Sequence, residues 1–113
     1  MTTVNVFKLA GSTYKQVKTF QPFGPGFFGG SFLAVGDFNG DRTRDIIVGA
    51  GAGWLPQVAI FSGANLNSNK QLNTLATFMA YERTFKGGVR VAVKPTNGGN
   101  PGSVEIVNIL TGR

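Results

Sequence analysis

The chain reads as a series of short apolar runs separated by glycine-rich or polar turns. Residues 4–9 alternate apolar and polar positions, the period of a half-buried strand. Further strands are predicted over 16–23, 31–38 and 45–50, the last two joined by a tight polar loop. Four more follow over 57–62, 73–81, 89–93 and 103–110, which gives eight short strands. No helix is predicted, because glycine recurs too often for one to persist.

The strands repeat. Thr19-Phe20 matches Thr77-Phe78, Phe23 matches Tyr81, Phe27 matches Phe85, and Gly29-Gly30 matches Gly87-Gly88, each at an offset of 58 residues. Leu33-Ala34-Val35 and Val91-Ala92-Val93 keep the same offset, whereas Val4-Asn5-Val6-Phe7 matches Val58-Ala59-Ile60-Phe61 at 54. The difference of four is absorbed in the loop 63–70, as expected of a surface connection. If the strands of one unit are numbered 1 to 4, the chain runs 3, 4, 1, 2, 3, 4, 1, 2. It divides into strands 3 and 4 over 1–23, one full unit over 27–81, and strands 1 and 2 over 85–113.

Composition narrows the chemistry. With 113 residues the chain is one small domain, and 42% apolar residues can supply a core. It has neither cysteine nor histidine, which excludes disulfides, thiolate metal sites, Ser/His or Cys/His catalysis and the usual zinc and copper ligands. No apolar run reaches the length of a membrane span, and Met1 to Ala10 lacks the basic start and long apolar stretch of a signal peptide. Net charge is +6, but the eleven basic residues are scattered, which suits a solvated surface better than a nucleic-acid interface. The acidic residues are only five, and Asp37, Asp41 and Asp45 fall within nine positions. That clustering requires a local reason.

The stretch from Phe27 to Gly53, with Gly36-Asp37-Phe38-Asn39-Gly40-Asp41 and Asp45-Ile46-Ile47-Val48-Gly49-Ala50-Gly51 at its centre, resembles an FG-GAP repeat, the integrin-type β-propeller repeat also grouped with VCBS repeats. Pro56 to Gly63 continues the pattern, and the second copy follows it more loosely. The resemblance implies four-stranded antiparallel propeller blades, commonly calcium-bound and commonly extracellular or at the cell surface. It implies binding or scaffolding far more often than catalysis.

Asp37, Asn39, Asp41 and Asp45 stand at positions 1, 3, 5 and 9 of a D-x-N-x-D-x-x-x-D loop, and the carbonyl of Thr43 at position 7 adds a further oxygen. Calcium takes six to eight such hard oxygens, and three crowded carboxylates repel one another unless a cation neutralises them. The same residues suit a turn closed by side-chain to backbone hydrogen bonds. Arg42 occupies the position where the family favours glycine, and Arg42 and Arg44 place two positive charges beside the ion, which lowers its affinity. In the second copy Pro95, Gly99 and Ser103 replace the three aspartates, so one Ca2+ per chain is the expected maximum.

The run Gly49-Ala50-Gly51-Ala52-Gly53 leads into Trp54-Leu55-Pro56 and a strand rather than a helix. It therefore reads as close backbone packing near a propeller axis, not a phosphate loop. Trp54, the only tryptophan, suits packing on a neighbouring blade. It is also the candidate ligand-binding residue, able to stack on a sugar or anchor a partner.

Two unit-equivalents cannot close a ring of four to eight blades. The expectation is a homo-oligomer, three copies giving six blades, or docking to other propeller-forming chains. Each junction would join strands 1 and 2 of one chain to strands 3 and 4 of the next. A monomeric eight-stranded sandwich is the competing architecture. Two functions follow from this reading. One is a structural or adhesive protein-binding module, and the other a lectin-like module taking glycans between blades.

Overall fold

The computed structural model describes residues 2–38, 40, 43–66, 70–94 and 103–106. Within them the chain is all-β and every strand pair is antiparallel. Strands β1 (Val4–Ala10) and β2 (Thr13–Phe20) form a hairpin. Strands β3 (Ser31–Gly36), β4 (Asp45–Ala50), β5 (Gln57–Phe61) and β6 (Thr74–Met79) form a four-stranded sheet in sequence order. Strands β7 (Val91–Lys94) and β8 (Ser103–Ile106) form a second hairpin. The pattern is that of propeller blades, one sheet being a complete blade-sized meander.

Several strands end earlier or start later than predicted, each for a local reason. The second strand was expected over 16–23 but runs Thr13–Phe20. Gly11, at φ +65°, turns the chain within two residues and brings Thr13 opposite Ala10. The third stops at Gly36 rather than residue 38, because the Phe38 amide is given to the Asp45 side chain and not to a strand. The fifth stops at Phe61, and Ser62 caps a single 3₁₀ turn (Gly63–Asn65), its hydroxyl accepting from the Ala64 amide. Val89 lies before β7, its amide donating to the Ala50 carbonyl at 2.9 Å. The part of the last predicted strand beyond Ile106 lies outside the described residues.

β4 explains the layering. All six of its residues are buried, so both faces of the central sheet are covered there. On one face Ile46 and Val48 join Ala59 and Phe61, and the N-terminal hairpin packs on them through Val6 and Phe20, with Phe23 beyond it. On the other face Ile47 joins Val58 and Ile60, and Val89 and Val91 of the C-terminal segment close over them. Full burial of an aliphatic side chain of this size is worth about 1.5–3 kcal/mol. The core is therefore two thin apolar layers, one on each side of a single sheet.

Glycine sets two close approaches, one to the C-terminal layer and one within the sheet. A Cβ at Gly49 would lie 2.0 Å from the Val89 carbonyl oxygen, and one at Gly51 would lie 2.3 Å from that of Gly30. Phe27 and Phe85, equivalent in the repeat, each lay a ring on the glycine two residues later, Gly29 and Gly87. The repeat seen in the sequence is thus also a repeat of local packing.

Candidate functional site

The site is the β3–β4 loop together with the surfaces that the two hairpins leave uncovered. Asp37 follows β3, and its Oδ1 accepts from the Gly40 amide at 2.8 Å, curling the loop on itself. Gly40 takes φ +82°, a left-handed conformation that glycine adopts without strain. Asp45 opens β4 and is completely buried. Its Oδ2 accepts from the Phe38 amide at 2.9 Å and its Oδ1 from the Gly63 amide at 3.1 Å. Thr43 is half-buried between them. Asn39, Asp41 and Arg42, the remaining predicted members of this loop, lie outside the described residues. So does most of the aspartate-free loop of the second copy.

The donor set of the loop is all oxygen, which suits a hard cation. A carboxylate oxygen has more than one lone pair, so the bond from Gly40 to Asp37 is compatible with ligation. The contacts that are visible are those of a turn closed by side-chain to backbone bonds, with one addition that the sequence did not suggest. Gly63, eighteen residues beyond Asp45, is brought in from just past the end of the neighbouring strand β5.

Trp54 is half-buried. Its ring meets Phe27 edge-on at 5.1 Å between centroids, and its indole N–H donates to Gln57 Oε1 at 3.3 Å. Phe27 in turn meets Phe23 at 5.1 Å. The tryptophan is thus built into an aromatic group at the β4–β5 turn. The glycine run before it makes the close backbone approaches described above rather than opening a helix.

The uncovered surfaces carry residues that the sequence pattern marks only as repeat positions, not as exposed ones. Leu33 and Val35 pair with Val48 and Ile46 and share their face, yet they are 51% and 59% exposed. They line a groove of about 310 Å³ with Val6, Phe7 and Arg44. On the opposite face Phe78, paired with buried Val58, is 40% exposed. Each hairpin therefore covers only half of the face it packs on. Period-2 patterning tells which face a residue takes, but not whether anything stands in front of it.

No helix among the described residues is long and apolar enough to cross a membrane. The family model of the FG-GAP repeat matches residues 29–55, which run from the glycine pair before β3 through the aspartate loop and β4 to the turn holding Trp54. No curated protein and no solved structure matches the chain. FG-GAP repeats build non-catalytic interaction modules, typically extracellular ones, and the antiparallel four-stranded sheet seen here agrees with such a blade. The chain is an FG-GAP repeat-containing protein.

Proposed function

We propose that this chain is a non-catalytic β-propeller module whose sheets are completed by strands from another polypeptide and which serves as a protein-binding scaffold. The observation that carries the proposal is the half-covered central sheet. Leu33 and Val35 on one face and Phe78 on the other are apolar, exposed, and in register with fully buried neighbours. Strands 1 and 2 of a preceding blade would cover the first pair, beside the edge of β1 that no strand among the described residues pairs with. Strands 3 and 4 of a following blade would cover Phe78. Exposed apolar residues next to buried ones, on each of two faces, suit interaction sites, and a strand edge invites pairing. Copies of the chain itself can supply both, and three copies would make a six-bladed ring.

Solution mass tests this directly. Light scattering at micromolar concentration is expected to give three times the 11.9 kDa of the chain. Val35→Lys, which places a charge on the exposed groove wall, should return the mass to that of one chain without lowering the helix-free β-type circular dichroism. A compact wild-type monomer would sink the proposal.

The loop 37–45 is proposed to hold one Ca2+ through Asp37, Asn39, Asp41, the Thr43 carbonyl and Asp45. Bound there, the ion would neutralise the three carboxylates and stiffen the loop between β3 and β4. Millimolar calcium is then expected to raise the melting temperature of the wild type, with no rise in Asp41→Ala. If wild type and variant melt alike with and without calcium, the loop is a metal-free turn.

A further inference from the structure

The Asp45 carboxylate is set up in a way that calcium ligation does not require. It is fully buried, and each of its oxygens faces a backbone N–H from a different part of the chain. Phe38 belongs to the loop that Asp45 itself closes, whereas Gly63 belongs to the corner where β5 gives way to the 3₁₀ turn. That corner is pressed against the start of β4. A Cβ at Gly63 would lie 1.8 Å from the Arg44 carbonyl oxygen and 3.1 Å from Thr43 Cγ2. Only glycine lets the amide come this close. A buried carboxylate is costly unless its charge is met by donors, and two N–H groups supply charge-assisted bonds to it.

We infer that Asp45 is a cation-independent clamp, an internal anion that ties the β3–β4 loop to the β5 corner and fixes the loop before any ion arrives. The inference does not depend on the calcium proposal. Asparagine at this position has nearly the same shape but offers one acceptor oxygen and one NH2 donor. One of the two backbone amides would then face a donor and lose its partner.

Amide hydrogen exchange measured by NMR in excess EDTA tests the clamp. In the wild type, the Phe38 and Gly63 amides are expected to exchange slowly without any divalent cation. In Asp45→Asn, at least one of them should exchange at least about tenfold faster, and Asp37→Asn should leave both unchanged. Gly63→Ala keeps every loop carboxylate but displaces the corner. It should free the Gly63 amide while the Phe38 amide stays protected. Two results would overturn the clamp. One is wild-type protection that appears only when calcium is added back, which would make Asp45 purely a metal ligand. The other is full protection of both amides in Asp45→Asn. Should Asp45→Asn fail to fold, the wild-type protection in EDTA decides alone. A chain that ignores calcium in melting experiments but passes this test has lost the ion site and kept the clamp.

Discussion

Phe27→Ala is expected to be the most damaging single truncation, costing about 3–5 kcal/mol of stability. Phe27 is 1% exposed, and its ring is met edge-on by Phe23 and Trp54, each at 5.1 Å, and lies on Gly29. Its carbonyl accepts the Thr2 amide at 2.7 Å, and the Thr2 hydroxyl bonds the Gly29 carbonyl, so the chain's first residues are fastened here too. Removing the ring leaves a hole bounded by backbone and aromatic edges, which cannot collapse without moving the Gly29 backbone under it. For a domain of this size the melting temperature should fall by more than about 10 °C. Trp54 reports the same event, because its emission should shift to the red as its ring loses Phe27. A Phe27→Ala protein with wild-type melting and unshifted emission would refute this packing.

Gly49→Ala is the second large effect, and its mechanism is overfilling. The added methyl would meet the Val89 carbonyl oxygen at 2.0 Å, far inside contact, with Val91 Cγ1 at 3.2 Å. The neighbour is backbone that is itself bonded, the Val89 amide to Ala50, so it cannot rotate away as a side-chain tip could. A loss of about 1–3 kcal/mol is expected, with the C-terminal segment lifted from the Ile47 layer. Gly26→Ala is the matched control, since a Cβ there meets nothing within 4 Å and its φ is not left-handed. Chemical denaturation of the two variants side by side separates the effects. Equal midpoints would show that Val89 does not press on β4 as described.

Much of the fold was legible because its signals are local. The offset of 58 between Phe27-x-Gly29-Gly30 and Phe85-x-Gly87-Gly88 marks the same ring-on-glycine packing twice, and the apolar runs over 31–36 and 45–50, bounded by glycine and polar turns, mark two strands of the central sheet. Strand ends were less legible. They depend on where a particular amide goes, as with Phe38, whose N–H turns to Asp45. The clustering of aspartates drew attention to residues 37–45, and the turn reading of that loop anticipated its Asp37 bond to Gly40. Asp45 was different. Its second partner lies just past the end of the neighbouring strand β5, on a glycine with no side chain to betray it. The exposure of Leu33, Val35 and Phe78 was equally hidden, because it reflects what the hairpins fail to cover rather than what the residues are.

The central sheet is clad on both sides, whereas each hairpin leans on it by one side only. Under mechanical load this makes the molecule a graded fuse. Tension drawn through the two ends would peel the hairpins away first, at low force, and leave β3 to β6 as the last unit to give. Chains locked into a larger array would lose that weak step, so the force at first yielding would report how many neighbours each one has.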